Sequence, residues 1–292
     1  LTEWNMPRSE DSRTDQEQAP RLDIQQSWWA MHGYGEGGKE WSAEQKFEHI
    51  AKAGFTGILG RLPEPSEARR WRSLLDQYQF SFGVQSFPGS REELRLFLKE
   101  AEAFGVSYVN SQVADAFVTG SEAVSLLEGL CEEAAAVQIP YYVETHRGKL
   151  TQDLIRTAGY VREVEQLRLT IDLSHYVAAG EMIDVQQQAE PLFDQLLQRT
   201  SSIHARVSNG QQIQADIGER GEHPMLPHFK RWWSSGMSYW KSKAMPGDVL
   251  PFVTELGPPG YAITDSDSRE LSDRWQQALL LKEIAMQLWN EA

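Results

Sequence analysis

Apolar residues along this chain fall into short runs, and between the runs they recur every three to four positions, with a Gly, Pro or polar break before each run. The runs predict strands over 24–31, 55–60, 80–85, 106–110, 139–144, 167–172, 202–206 and 250–255, and the periodic stretches between them predict helices. Helix starts carry capping-box spacing at Ser42/Gln45, Ser90/Glu93 and Thr119/Glu122. Gly54 and Gly105 stand where the first and third helices should stop. A last segment with Leu271, Trp275, Ala278 and Lys282 along one face completes the count. Eight strands, each followed by a helix, predict a single α/β (β/α)8 barrel over 22–292, with an open doubly wound sheet as the alternative. Residues 1–21 are charged and aperiodic, so they read as a short N-terminal extension. The stretch from Ser208 to Glu222, rich in Gln, Gly and Asp, falls between strand seven and its helix, on the side where such barrels place their chemistry.

The strand ends supply the candidate chemistry. Strand five finishes in YYVETH with Glu144, strand six in LTIDLSH with Asp172, strand seven in IHAR with His204, and strand eight in FVTE with Glu255. Three carboxylates and an imidazole converging at one mouth would repel without a cation, so the pattern predicts one divalent metal ion on these four residues. Oxygen-rich ligands favour Mn2+, Mg2+ or Co2+, with Zn2+ also possible. Two residues beyond His204 on an alternating strand, Arg206 should enter the same cavity and hold substrate. His146 has that relation to Glu144, His175 follows Asp172 as D-x-x-H, and His32 ends strand one; all three are candidate substrate contacts.

Composition narrows the partners. Formal net charge is −14, which would repel a phosphate backbone, so nucleic acid is not expected. No apolar run approaches a membrane span, and the N-terminal residues carry no signal-peptide pattern, so a cytoplasmic protein without a membrane partner is expected. The oligomeric state stays open, a homo-oligomer included. The one cysteine, Cys131, shares helical spacing with Val124, Leu127 and Ala134 and reads as a buried thiol. Gly33, Gly35 and Gly38 spell G-x-G-x-x-G, but no acidic residue closes strand two, so the pattern reads as a lid or turn rather than a dinucleotide site. Of the pairs Trp28/Trp29 and Trp232/Trp233, at most one member each is expected to face a sugar. Serine hydrolase, zincin and P-loop motifs are missing.

The strand-end set Glu144, Asp172 with His175, His204 and Glu255, in YVETHRGKLTQD, IDLSHYVAAGE, IHARVSNGQQ and VTELGPPGY, resembles the xylose isomerase-like barrels. That superfamily includes sugar isomerases, ketose epimerases and endonuclease IV-type repair enzymes. The resemblance implies that Glu144 and Glu255 bind the metal and act as acid and base through an enediolate on a monosaccharide or related polyol. A metal-dependent lyase or hydrolase of a keto-sugar derivative and a non-catalytic sugar-binding barrel are the alternatives. Two departures stand out. Ala205, Arg206 and Val207 replace the epimerases' Gly-Glu run, and no Asp-x-His follows His204. Strand four ends in Asn110 and Gln112 where the repair enzymes have histidine, so their trinuclear zinc site is not assembled.

Overall fold

The eight apolar runs form the eight parallel strands of a closed barrel in a computed structural model, which describes residues 19–37, 39–184 and 187–292. The strands are β1 (Arg21–Ser27), β4 (Gly57–Gly60), β5 (Ser81–Ser86), β6 (Tyr108–Ser111), β7 (Tyr141–Glu144), β8 (Leu169–Ile171), β9 (Thr200–Ala205) and β10 (Val249–Thr254). Closure comes from β1, which pairs in parallel with both β4 and β10. The open-sheet alternative is thereby excluded. Most of the expected extension, residues 1–18, and Gly38 lie outside the described residues, while Arg21 already pairs with Val249.

The first strand runs earlier than its apolar pattern implied. It stops at Ser27 because Trp28 turns into a helical conformation and gives its backbone N–H to the Leu59 carbonyl, so 29–31 form a single 3-10 turn. Gly33 and Gly35 of the glycine pattern then lead into a small hairpin of β2 (Gly35–Glu36) and β3 (Lys39–Glu40). A Cβ at Gly35 would lie 1.9 Å from the Lys39 carbonyl oxygen, so the close approach of two backbones accounts for that glycine. This is turn geometry, as expected.

Around the barrel run α1 (Ala43–Lys52), α2 (Ala68–Tyr78), α3 (Arg91–Phe104), α4 (Gly120–Val137), α5 (Leu154–Glu163), α6 (Ser174–Ala179), α7 (Glu190–Leu197), α8 (Leu226–Lys241) and α9 (Arg274–Glu291). Ser42 and Gln45 form the full reciprocal capping box. Ser90 accepts from the Glu93 N–H, but the Glu93 carboxylate turns back to the Gly89 N–H instead. At α4 the expected box is not made, and Thr119 offers no side-chain cap. Gly105 ends α3 in the left-handed conformation, φ +84°, where an L-residue would be strained. Leu271 is a second correction: it precedes α9 and is exposed, while Ala278, Leu281, Ile284, Ala285 and Leu288 make the buried face.

The main core lies between helices and strands, as at Trp233, which meets Phe252 edge-on with ring centroids 5.7 Å apart. Trp232 and Trp233 are both buried there, so neither faces a ligand. Inside the barrel the packing is different. Leu59, Tyr108 and Val253 form a small apolar layer, and beneath it the Tyr108 hydroxyl donates to Gln25 Oε1 at 2.8 Å while Gln25 donates to Asp23. That layer closes the bottom of the barrel and leaves the C-terminal mouth for chemistry. Cys131 is half-buried against the main core, and burial pushes its thiol up to about 11, which keeps it a protonated packing group.

Candidate active site and metal centre

Glu144 ends β7, Asp172 follows β8 by one residue, His204 lies in β9, Arg206 follows β9, and Glu255 follows β10. Parallel register sets them side by side: Val253 pairs with His204 and Thr254 with Ala205, so Glu255 emerges next to Arg206. All five residues are buried, none more than 2% exposed. His204 Nδ1 stands 3.1 Å from Glu255 Oε2 and 3.5 Å from Glu144 Oε1. Glu144, His204 and Glu255 offer ligand atoms within 4.8 Å of one another. Glu144 Oε1, Asp172 Oδ2 and His204 Nε2 are buried without hydrogen-bond partners, which is costly unless a further group binds them. The residues fit a divalent cation.

Asp172 stands apart from that three-residue group. Its Oδ1 accepts the Ser174 N–H at 3.0 Å and the Ser174 hydroxyl, while Oδ2 faces Arg206 Nη2 at 3.3 Å and His175 Nε2 at 3.5 Å. Arg206 Nη2 also donates to Glu255 Oε2 at 2.6 Å. The guanidinium therefore bridges two of the four carboxylate and imidazole groups that sequence reading gave to the metal. Its position comes from the two-residue strand period, as expected; its ion pairs do not.

Electrostatics polarise the cluster. Burial would raise the Glu144 carboxyl, but the imidazole of His204 outweighs it, helped by His146 and by Asn110, whose Nδ2 donates to Glu144 Oε2 at 2.7 Å; the pKa falls to about 2. Burial would lower the His204 imidazole, yet the carboxylates of Glu255 and Glu144 outweigh it and raise its pKa to about 10. Asp172 moves up because burial dominates the Arg206 contribution. His175 is held well below the ordinary imidazole range by burial first and then by His146 and the arginines 206 and 147, so it is neutral. His146 lies against it at a tilt of 45° with ring centroids 4.0 Å apart, and both offer ring nitrogens within 4.8 Å of a Glu144 oxygen.

Above the cluster opens a cavity of about 660 Å³. Arg206 and Glu255 form its floor with His146, Gln85 and Gln112, and Trp28, Trp29, Trp71, Phe87 and Tyr261 supply aromatic wall. Both members of the first tryptophan pair thus face the cavity, correcting the expectation of one: the 3-10 turn after β1 replaces strand alternation with consecutive residues on one side. His32 lines the cavity, with Nδ1 3.6 Å from Glu40 Oε1. The Ser208 to Glu222 stretch is anchored at this end by Gln214, whose amide exchanges two hydrogen bonds with the Gly257 backbone. Lys46, Arg61, Phe87, Gln85 and Tyr261 were missed in the sequence. Tyr261 and Arg61 sit in irregular segments with no period to read, whereas Gln85 ends strand three and was accessible to the strand-end argument.

No protein-family profile and no curated protein matches the chain. Solved structures do. A xylose isomerase-like TIM barrel protein from Mycobacterium smegmatis in complex with magnesium is 11% identical, with a TM-score of 0.60 over 92% of this chain and 97% of that one. A sugar phosphate isomerase/epimerase from Parabacteroides distasonis is also 11% identical, with a TM-score of 0.59 over 97% and 98%. A probable 3-DHS dehydratase from Bacillus anthracis is 14% identical, with a TM-score of 0.58 over 91% and 98%. The barrel of this chain, with its carboxylate and imidazole cluster at the C-terminal mouth, has the fold of the xylose isomerase-like TIM barrels.

Proposed function

We propose that this protein is a divalent-metal-dependent isomerase or epimerase that moves a proton on a monosaccharide or related polyol. One observation carries the reading: Glu144 and Glu255 approach the same His204 nitrogen, at 3.5 and 3.1 Å, beneath an aromatic-walled cavity of about 660 Å³. A metal held by Glu144, His204 and Glu255 would act as a Lewis acid on the substrate oxygens, while Asp172 stays paired with Arg206 and His175. Mn2+, Mg2+ or Co2+ suits the oxygen-rich set, and the magnesium complex of a neighbour with the same fold supports a hard cation.

The chain's own residues do the rest. Two carboxylates on opposite sides of a substrate carbon are one acid and one base, and each exchanges roles across an enediolate. The amides of Asn110 and Gln112 both donate to Glu144 Oε2, at 2.7 and 3.2 Å, which fixes that carboxylate and leaves Oε1 for chemistry. Arg206 holds Glu255 in place and keeps Nε and Nη1 without protein partners, so the N–H groups of those two nitrogens are available to a substrate oxygen. Neutral His175 serves as a hydrogen-bonding partner for a hydroxyl rather than as a fixed charge. Trp28 and Trp29 offer apolar faces to a sugar ring.

The test is solvent deuterium exchange into a ketose panel with metal-loaded protein, comparing Glu144→Gln and Glu255→Gln after each is checked for metal. Exchange in the parent and its loss in both variants supports the reading. Exchange at the parent rate in metal-bound variants of both would refute the two-glutamate mechanism. Elimination instead of exchange would point to a lyase, the chemistry named for the dehydratase neighbour.

A further inference from the structure

The cavity mouth carries positive charge that nothing in the proton-transfer scheme requires. Arg61 Cζ lies 5.1 Å from the centroid of the Phe87 ring, and Lys149 Nζ lies 5.7 Å from the same centroid. Arg147 Cζ is 5.1 Å and Arg206 Cζ 4.7 Å from the centroid of Tyr261. Phe87 and Tyr261 are cavity walls with two cations beside each ring, and of these four cations Arg61 and Arg206 line the cavity themselves. Among the described residues Arg61, Arg147 and Lys149 form no ion pair. Arg206 is 1% exposed, lines the cavity, and has two guanidinium nitrogens without partners.

The carboxylates of the cavity do not offset this end. Glu255 is engaged by Arg206, and Glu40 is engaged by Lys46 with His32 beside it. A chain of net charge −14 that places Arg61 and Arg206 in the lining of this cavity, with Arg147 and Lys149 beside its aromatic walls, focuses a field that attracts anions. Ring faces hold guanidinium and ammonium groups in place without neutralising them, so their charge remains for a ligand. About 660 Å³ also leaves room beside one sugar ring, since sites of roughly 300–1,000 Å³ accommodate drug-sized ligands.

We propose that the substrate is an anionic sugar, whose phosphate or carboxylate group binds between Phe87 and Tyr261 against Arg61, Arg147 and Lys149 while its polyol end reaches Glu144 and Glu255. This rests on the reading of the cavity as a sugar site. The geometry divides the pocket into an anion end and a reacting end, with Arg206 at the junction of the two. Phosphate and carboxylate share the chemistry that these cations recognise, namely paired acceptor oxygens for guanidinium.

The experiment is a set of dissociation constants measured by calorimetry on the full chain with D-fructose, D-fructose 6-phosphate, D-gluconate and inorganic phosphate. Arg61→Gln and Lys149→Gln lie at exposed or half-exposed positions and are measured alongside the parent, with Arg61→Lys as a charge-retaining control. The expected result is at least tenfold tighter binding of a phosphorylated or carboxylated sugar than of fructose. Each Gln variant should lose about fivefold or more on the anion only, and Arg61→Lys should retain most of the preference. The stronger of the phosphate and gluconate arms identifies the group. Equal affinity for neutral and anionic ligands, a preference that both Gln variants keep, or no saturable binding of any anion overturns the proposal. Cation-dependent anion binding with no deuterium exchange would uphold it while refuting the proton-transfer reading, and exchange on a neutral ketose without anion preference would do the reverse.

Discussion

Replacing Arg206 with methionine tests how the buried cluster is balanced. The side chain is 1% exposed, and its Nη2 lies 2.6 Å from Glu255 Oε2 and 3.3 Å from Asp172 Oδ2. Methionine fills similar space without charge, so chelator-treated Arg206→Met keeps two buried carboxylates that have lost their guanidinium. Removing one partner of such a pair costs about 3–5 kcal/mol. At roughly 2 °C per kcal/mol for a chain of this size, the melting temperature should fall by about 6–10 °C. The guanidinium also opposes a metal at the same oxygens: a unit charge and a dication about 4 Å apart repel by ~8 kcal/mol at an effective dielectric of 20, before the side chain relaxes. Even a fraction of that makes Mn2+ binding at least tenfold tighter in the variant, since a factor of ten needs only about 1.4 kcal/mol. Scanning calorimetry across a Mn2+ titration reads both effects, with saturating metal recovering up to ~4 kcal/mol of the loss at a thousandfold excess over Kd. A chelated variant that melts within a degree or two of the parent, or that binds Mn2+ no more tightly, would show that Arg206 does not balance these carboxylates.

Three further outcomes follow from the same geometry. Metal binding should release about one proton near pH 8, because a ligating His204 must give up the proton that Glu255 and Glu144 hold on it up to about pH 10; affinity therefore rises with pH, and calorimetry in buffers of different ionisation heat measures the release. Gly257→Ala should weaken sugar binding while sparing metal affinity, since a Cβ there would sit 2.2 Å from Trp29 Cη2 and push that cavity wall; unchanged ligand dissociation constants would count against Trp29 as part of the site. Trp233→Ala, which empties a core position 1% exposed against Phe252, should cost about 3–5 kcal/mol in denaturant unfolding without altering metal stoichiometry, and a loss below ~1 kcal/mol would contradict the packing.

The barrel was legible because its determinants are local. Strand and helix periods, the Ser42/Gln45 box and the left-handed Gly105 each reside in a few consecutive residues, and parallel strands need crossovers that the helices visibly supply. The same locality made strand ends informative: Glu144, Asp172, His204 and Glu255 are placed at one mouth by strand direction alone, and alternation turns Arg206 inward with His204. What the sequence left undecided are distances between residues brought together by closure. Only the folded chain sets Arg206 between Asp172 and Glu255, separates Asp172 from the other three groups, and turns Trp28 and Trp29 to the same side through a 3-10 turn. Only the fold brings Arg61, Lys149 and Arg147 to the Phe87 and Tyr261 rings, from loops with no periodicity. Backbone pattern is encoded in neighbours along the chain, whereas burial, ion pairing and the sign of a local field depend on which distant side chains share a low-dielectric space, and that is decided by tertiary structure.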